Sequence, residues 1–309
     1  MSFDSLPFTL RQMQYALAVA ETLNFRRAAE RCAVAQPSLS SQLAALEEAL
    51  GVQLFERSHG GVRLTPAGGP LLARMRQIAA ASRELTLEAA AFRDPFAGSL
   101  RLGVIPTLAP YLLPFLVPSL REAFPNLMPL WTEDRTDTLV AALQRGELEG
   151  AMLALEADLG DLVTHALGRD PFLLCLPTSH PLAASSAPLR VEKLEEERLL
   201  LLEDGHCLRN QALSACGTTR IEELGYRATS LPTLVQMVAS GAGITLLPQL
   251  AAATEASRAQ VILRPLAKPV PYRTLALVWR PGCYAEQALR RIAEVSSRTF
   301  QAHESFPKA

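Results

Sequence analysis

The chain has 309 residues, of which 49% are hydrophobic and 20% are charged, and its formal net charge is −1. This composition is typical of a soluble globular protein with a real core, and the length favours one or two domains plus a small accessory module. The near-neutral balance neither demands nor excludes an acidic partner, so any nucleic-acid site must be local.

The apolar segments and the cysteines favour a cytoplasmic location. The most apolar early segment, residues 108–120, is too short to span a bilayer and carries three prolines. The first twelve residues lack the basic region and apolar core of a signal peptide. The five cysteines are scattered and odd in number, unlike a secreted disulfide framework. In a reducing compartment, a functional cysteine pair is expected to be catalytic or redox-sensing.

Residues 1–66 are predicted to form three short helices and a hairpin. The first helix has apolar residues at helical spacing, namely Leu10, Met13, Leu17 and Ala20. Asn24 is the candidate N-cap of the second helix, while Pro37 opens the third and Gly51 ends it. The predicted inward faces are Phe25, Ala28, Ala29 and Cys32, then Leu39, Leu43, Leu46 and Leu50. This is a helix-turn-helix, to which "VQLFER", "SHGG" and "VRL" add a wing.

The exposed start of the third helix is the candidate DNA-reading surface. Its short polar groups are suited to base edges and phosphates, and they comprise Gln36, Pro37, Ser38, Ser40 and Ser41. Arginines beside it are expected to contact phosphates, namely Arg26, Arg27 and Arg31 on the second helix and Arg57 and Arg63 around the wing. Because residues 1–66 hold six arginines and six acids, this prediction rests on the pattern rather than on charge.

A long helix is predicted from Thr65-Pro66 to about Phe92. Its apolar seam alternates steps of four and three, as in a coiled coil: Leu71, Met75, Ile78, Ser82, Leu85, Ala89 and Phe92. Such a seam needs a partner helix, and the alternative is packing against its own domain. After the linker 93–99, strand-like runs alternate with helices, which predicts an α/β domain with mostly parallel strands.

Two segments resemble a known family. The run "FRRAAERCAVAQPSLSSQLAALEEALGVQLFERSHGGVRLTPAG" is similar to the winged helix-turn-helix of LysR-type transcriptional regulators, and "SGAGITLLP" (240–248) is similar to their effector domain. The family pattern usually has Ser where this chain has Ala35, a departure that removes a helix N-cap worth roughly 0.5–2 kcal/mol.

The resemblance implies the whole architecture. It implies a winged helix-turn-helix in 1–66, a linker and dimerisation helix with a hinge in 67–96, and a regulatory domain in 97–309. The regulatory domain is expected to be an α/β structure like a periplasmic solute-binding protein, with subdomain I at about 97–168 plus 276–309 and subdomain II at about 169–275. Members of this family generally assemble as dimers of dimers on DNA.

The segment "LLLLEDGHCLRNQALSACG" (199–217) carries the chemistry. A helix starting near Cys207 would place its thiol at a helix N-terminus beside His206 and Arg209, an environment that lowers a thiol pKa. The resulting thiolate attacks peroxide to give a sulfenic acid, which a second thiol converts to a disulfide. Nine residues of continuous helix span roughly 13–14 Å, so joining Cys207 to Cys216 requires refolding.

Inert core thiols are the plain alternative for this pair, while a zinc site and a cysteine hydrolase lack further ligands or partners. The same segment resembles the OxyR subfamily of LysR-type regulators, which sense hydrogen peroxide. The resemblance implies that Cys207 is peroxidatic and Cys216 resolving, and that Thr107, Thr136 and Arg280 complete the site. Asn210 stands where the subfamily pattern often has Asp.

The remaining cysteines suggest no chemistry. Cys32 and Cys175 are expected to be structural, while Cys283 has no assigned place.

The sequence therefore predicts a DNA-binding transcriptional regulator, not an enzyme, that needs no cofactor or metal. Expected partners are double-stranded promoter DNA, further copies of the chain in a homodimer or homotetramer, RNA polymerase, and a glutaredoxin- or thioredoxin-type reductant. Two alternatives remain. One is a LysR-type regulator of a small metabolite bound between the subdomains, and the other is a thiol peroxidase that carries a DNA-binding module.

Overall fold

The computed structural model describes residues 6–58, 61–194, 197–203, 207–216 and 228–304. The chain divides into two compact units, Met1–Ala89 and Ala90–Ala309. Among the described residues, no helix combines the length and the apolar character needed to cross a membrane.

The first unit is a helical bundle with a hairpin. Its elements are α1 (Leu10–Thr22), α2 (Phe25–Arg31), α3 (Gln36–Leu50), β1 (Phe55–Ser58) and β2 (Gly61–Leu64). The two strands pair antiparallel, as the wing prediction requires. Of the predicted α1 stripe, Met13 is buried and Leu17 and Ala20 pack partly buried against the core, whereas Leu10 is 46% exposed. The most buried positions also include Tyr15, Ala16, Ala18 and Val19.

Local chemistry sets the helix boundaries of the first unit. Asn24 caps α2 by accepting hydrogen bonds from the backbone N–H groups of Arg26 and Arg27. Ala35 stands at the N-cap of α3 and makes no side-chain cap, so this helix lacks the stabilisation that a Ser would give. At the other end of α3, Glu47 accepts from the N–H groups of Leu54 and Phe55 and so fixes the start of the wing.

The long helix α4 spans Gly68–Ala91. The Thr65 hydroxyl accepts from the N–H of Gly68, and any Cβ at residue 68 would lie 2.3 Å from the Leu54 carbonyl oxygen, so only Gly fits there. Buried Leu72 and Met75 attach the first turns to the helical bundle. Further along, apolar side chains of the predicted seam are exposed: Ile78 by 37%, Leu85 by 70% and Phe92 by 85%.

The second unit is built on a seven-stranded sheet in the order β4-β3-β5-β9-β6-β7, with β8 also paired to β6. The strands are β3 (Gly98–Val104), β4 (Leu127–Glu133), β5 (Gly150–Ala154), β6 (Val163–Pro177), β7 (Thr245–Pro248), β8 (Val261–Pro265) and β9 (Tyr272–Trp279). Among the strands of the described ranges, β3 pairs in parallel with β4 and with β5, and the other strand pairs of this sheet are antiparallel. The α/β class is confirmed, but the prediction of mostly parallel strands is wrong.

The long strand β6 explains this difference. Its first part pairs with β9, and its last residues, from Phe172 on, pair with β7 and β8. Strand β9 runs opposite to both β5 and β6, so its pairings with these two strands are antiparallel. Strand β6 contains Gly168 and Pro171, residue types that are disfavoured inside strands, so the sequence does not indicate a strand here. Gly168 is required in the structure, because a Cβ there would lie 2.5 Å from the Phe300 ring.

Helices cover this sheet. They are α5 (Ala109–Ala123), α6 (Thr136–Gln144), α7 (Cys207–Cys216), α8 (Leu231–Ala239), α9 (Gln249–Ala256) and α10 (Glu286–Glu304). The run "RLLLLE" forms isolated bridges from Leu199 to Ile244 and from Leu202 to Ala228 instead of a regular strand. Fully buried Trp279 and Phe172 lie in one continuous hydrophobic core that includes residues of α5, α9 and α10.

Candidate functional site

The carboxyl ends of the three neighbouring parallel strands carry polar residues. Thr107 follows β3, Thr136 is the first residue of α6 after β4, and Glu156 follows β5. Because β4, β3 and β5 run in the same direction, these residues lie at one edge of the sheet. In open α/β sheets, ligands bind at this edge.

Thr107 is held by a residue that the sequence reasoning missed. Arg273, at the start of β9, donates from Nη1 to Thr107 Oγ1 at 2.7 Å and from Nη2 to the Thr107 carbonyl at 3.0 Å. A guanidinium only donates, so the Thr107 oxygen must accept here and its hydroxyl hydrogen remains available for another acceptor. Thr107 and Arg273 are 3% and 0% exposed, which shields both from bulk water.

Asp170 completes this buried group. Its Oδ2 accepts from Arg273 Nε at 3.0 Å, and its Oδ1 accepts from the N–H of Leu250 at 3.0 Å. Burial raises the pKa of Asp170, while the charge of Arg273 and the backbone bond from Leu250 oppose that shift. Leaving either charge buried without the other would cost about 3–5 kcal/mol, so the pair fixes the position of the guanidinium.

Thr136 contributes a second buried hydroxyl at the same edge. The side chain is 7% exposed, and its Oγ1 has no hydrogen-bond partner among the residues that the structure describes. A buried polar group in this state usually marks a position for a polar ligand or an ordered water.

Helix α7 begins at Cys207 and ends at Cys216, as predicted. A continuous helix of this length separates its terminal Cα atoms by roughly 13–14 Å. The side chains of Cys207 and Cys216, and all of His206, lie outside the described residues.

Helix α7 is tied to the Thr107 edge by a short chain of bonds. Gln211 Nε2 donates to Glu156 Oε2 at 3.2 Å, and Glu156 Oε1 accepts from the N–H of Thr274 at 2.6 Å. Thr274 is the neighbour of Arg273 in β9. The segment with the two cysteines and the Thr107 group therefore belong to the same region of the second unit.

The structure does not bring Arg280 to Thr107. Arg280 follows the end of β9, where Trp279 pairs with Gly150 at the beginning of β5. Thr107 lies near the opposite end of β5, and the seven residues from Arg273 to Arg280 correspond to roughly 23 Å of extended strand. The predicted approach of Arg280 to Cys207 stays a prediction, because the side chain of Cys207 lies outside the described residues.

The other cysteines have ordinary structural surroundings. Burial raises the pKa of Cys175 to about 12, and partial burial raises the pKa of Cys32 despite the nearby Arg31. Cys283 is buried, with its Sγ 3.9 Å from the Glu149 carbonyl oxygen. Within the described ranges, no three His, Cys, Asp or Glu side chains form a group that could hold a metal ion.

The candidate DNA surface lies on the first unit. Gln36, Pro37, Ser38 and Ser41 are exposed at the start of α3, while Ser40 is half-buried. Arg27 and Arg63 are exposed, and Arg26 is exposed but pairs with Glu30 at 3.1 Å. Arg57 lies in β1, and its side chain is outside the described residues. A solvent pair such as Arg26–Glu30 is worth little and is readily exchanged for a phosphate.

Comparisons with known proteins cover almost the entire chain. Residues 10–69 match the family described as "Bacterial regulatory helix-turn-helix protein, lysR family", and residues 93–301 match "LysR substrate binding domain". The "DNA-binding transcriptional dual regulator OxyR" of Escherichia coli (strain K12) is 40% identical over 295 residues, which cover 95% of this chain and 96% of the relative. The "Probable hydrogen peroxide-inducible genes activator" of Mycobacterium avium is 40% identical over 287 residues, 92% of each chain.

Solved structures are also similar. A full-length OxyR variant from Pseudomonas aeruginosa has a TM-score of 0.74 and 36% identity, with 94% of each chain covered. An OxyR variant from Corynebacterium glutamicum, described as H2O2-bound, has a TM-score of 0.65 and 34% identity, covering 96% of this chain and 93% of that one.

Proposed function

The chain belongs to the LysR family of bacterial transcriptional regulators, and within that family we propose that it senses hydrogen peroxide and changes its contacts with promoter DNA in response. The observation that carries this proposal is the buried Asp170–Arg273–Thr107 group at the carboxyl ends of the parallel strands. It combines a positive charge with an oriented hydroxyl in a site shielded from water. The relative named as a probable hydrogen peroxide-inducible genes activator and the similar structure described as H2O2-bound support the same function.

The first step is oxidation of Cys207. Its thiolate attacks one oxygen of H2O2, the S–O bond forms as the O–O bond breaks, and the products are a sulfenic acid and hydroxide, which takes up a proton to become water. Negative charge moves from sulfur to the departing oxygen. The Thr107 hydroxyl hydrogen is suited to donate to that oxygen, while the Arg273 charge stabilises it. Thr136 is a candidate second donor.

The second step closes the switch. The Cys216 thiol displaces the sulfenic oxygen of Cys207, so that the disulfide forms and water leaves. Disulfide Cα atoms lie within about 7 Å, which a ten-residue helix does not allow. Formation of the bond therefore unwinds α7, and the disulfide holds the segment in its new fold until a glutaredoxin- or thioredoxin-type reductant acts. This is the signal state of the cytoplasmic regulator.

The buried Asp170–Arg273–Thr107 group favours a very small ligand over a metabolite. Arg273, Asp170 and Thr107 are buried and bond to one another, and the hydroxyl hydrogen of Thr107 remains available to a ligand. A cavity of about 700 Å³ does exist, but it lies between α5 and α10. A molecule as small as peroxide suits the buried site better than a metabolite does.

The output of the sensor is the winged helix-turn-helix. Gln36, Pro37, Ser38, Ser40 and Ser41 are proposed to read the major groove, with Arg26, Arg27, Arg57 and Arg63 on phosphates. The exposed seam residues Ile78, Leu85 and Phe92 support pairing of α4 between chains, which gives the dimer and tetramer expected for two half-sites. RNA polymerase is the expected partner at the promoter.

The proposal is tested by the rate of sulfenic acid formation in a Cys216→Ala background. Thr107→Val removes only the hydroxyl and should slow the reaction with H2O2 about 100-fold, the usual value of one preorganised donor. Thr138→Val, at an exposed position on α6, is the matched control and should react like its parent. Equal rates in both variants would refute the role of Thr107.

Two further measurements separate the alternatives. A sensor reacts once per chain until it is reduced, whereas steady consumption of peroxide by substoichiometric protein would identify a thiol peroxidase. Release of DNA or a footprint change caused by a metabolite, with no change on adding peroxide, would identify a metabolite-responsive regulator.

A further inference from the structure

A second buried pair in the same unit has no part in the proposed chemistry. The Tyr111 hydroxyl, on α5, donates to Glu255 Oε1, on α9, at 2.8 Å. The two residues are only 2% and 1% exposed. Arg258 Nη1 lies 3.5 Å from the same carboxylate oxygen, but the Arg258 side chain is 60% exposed. Of these two partners of Glu255, Tyr111 is therefore the buried one.

The Tyr111–Glu255 pair completes a closed series of contacts that includes the Asp170–Arg273–Thr107 group. Tyr111 lies in the first turn of α5, four residues after Thr107. Glu255 is on α9, whose Leu250 N–H donates to Asp170. Asp170 holds Arg273, and Arg273 holds Thr107. The series therefore runs from Thr107 through α5 to Tyr111, across to Glu255, back along α9 to Asp170, and through Arg273 to Thr107.

The chemistry of the pair makes it a firm link. Burial and the adjacent carboxylate both raise the pKa of Tyr111, which keeps its hydroxyl protonated and able to donate. A buried carboxylate that loses a hydrogen-bond donor is destabilised, because that bond no longer offsets the cost of removing the carboxylate from water. Movement of α5 away from α9 is therefore opposed at this point.

We propose that Tyr111 and Glu255 are positioning residues for the peroxide reaction, because they hold the Thr107 turn against Arg273 by fixing α5 to α9. The inference rests on the proposed function in that Thr107 and Arg273 are taken as the groups that promote attack on peroxide. Neither Tyr111 nor Glu255 contacts the oxidant.

The first test compares two reagents at Cys207. Iodoacetamide reports only the availability of the thiolate, whereas H2O2 also depends on the donors at the departing oxygen. Tyr111→Phe should lower the ratio of the two rate constants, peroxide over iodoacetamide, by roughly five- to tenfold, the value of one buried hydrogen bond. Glu255→Gln keeps an acceptor for the tyrosine and should stay within about twofold of the wild type.

Tyr272→Phe is the matched control, since this tyrosine is 41% exposed and lies in β9 of the same unit. A merely structural role for Tyr111 would lower the melting temperature of the variant and leave the rate ratio unchanged. An unchanged ratio in Tyr111→Phe overturns the proposal, and so does an equal fall in the Tyr272→Phe control.

A second test needs no peroxide. In the reduced full-length protein, Tyr111→Phe should speed hydrogen exchange at the Leu250 amide and in the turn at 105–109, with β9 unaffected. Hydrogen exchange that is unchanged, or that becomes faster throughout the unit, would contradict the proposal that Tyr111 and Glu255 fix this turn. A wild type that fails to react rapidly with peroxide would instead refute the proposed function, while the exchange data would still decide whether the pair fixes the turn.

Discussion

The two units place their candidate functional residues in opposite environments. On the DNA-binding unit, side chains such as Arg26, which is 83% exposed, lie on the surface within short stretches of sequence. In the second unit, Thr107 is 3% and Arg273 0% exposed, and 166 positions separate them in the chain. The difference follows the size of the proposed partner. DNA needs an accessible face, whereas a molecule of two heavy atoms is best activated by fixed charges shielded from water.

The comparison between the two units is tested most strongly at the buried Asp170–Arg273 ion pair, where the largest effect is expected. Arg273→Met leaves Asp170 buried without its cation, which should cost about 3–5 kcal/mol and lower the Tm by roughly 6–20 °C. The peroxide reaction should fall at least about 100-fold, because Thr107 loses the group that orients it. Calorimetry and trapping of the sulfenic acid measure these two effects.

A double variant separates stability from chemistry. Asp170→Leu with Arg273→Met removes both charges together and should recover much of the stability, as apolar replacements of buried pairs often do. It should not recover the peroxide rate. A double variant that reacts like the wild type would mean that the pair serves only the fold.

The next effect concerns assembly through α4. Replacing the exposed seam residues Ile78 and Leu85 by Asp would bury charges in the proposed contact and should convert oligomers to monomers. Light scattering measures the mass, and Ala73→Asp, at an exposed position in the same helix, is the control. An unchanged mass would exclude α4 as the main contact between chains.

On the exposed surface, single changes should cost less. Arg27→Ala should weaken DNA binding on all sequences and reduce the slope of affinity against salt by about 0.9, the value for one phosphate contact. Ser38→Ala should relax sequence preference instead, by about 1 kcal/mol or more per base pair read. Footprinting at several salt concentrations distinguishes the two. Wild-type footprints from both variants would contradict the assignment of this surface.

The smallest effect is expected at Cys175. Its pKa in the folded protein is raised to about 12 from an ordinary value of 9.0, so the thiol favours folding fully below pH 9 and this contribution is lost as the pH rises towards 12. Cys175→Val should therefore melt with a shallower loss of Tm over that window and sense peroxide normally at neutral pH. Slower sensing in this variant would show that a buried thiol outside α7 takes part.

The sequence allowed accurate prediction where structure is local. The Asn24 cap, the Gly51 stop, the inward leucines of α3 and the wing depend on neighbours in the chain, and the structure has all of them. The same holds for α7, which begins at Cys207 as the sequence predicted.

Features that depend on strand direction were not predictable in this way. The Arg273–Thr107 bond joins residues far apart in sequence, and it requires β9 to run antiparallel to β5. Without that direction, Arg280 in "VWRPG" and Arg273 in "PYRTL" are equivalent basic residues on one strand. The signal that could have favoured Arg273 is its position beside a strand start, opposite Asp170 in the "GRDPF" run of β6.

The most direct test of the central claim is mass spectrometry of the two cysteine peptides before and after brief exposure to low-dose hydrogen peroxide. The account predicts a Cys207–Cys216 linked peptide in the wild type, no fast oxidation in Cys207→Ala, and a dimedone-trapped sulfenic acid at Cys207 in Cys216→Ala. Neither variant should change its DNA footprint with peroxide. A wild type without the linked peptide, or a Cys207→Ala protein that still switches, would contradict the account.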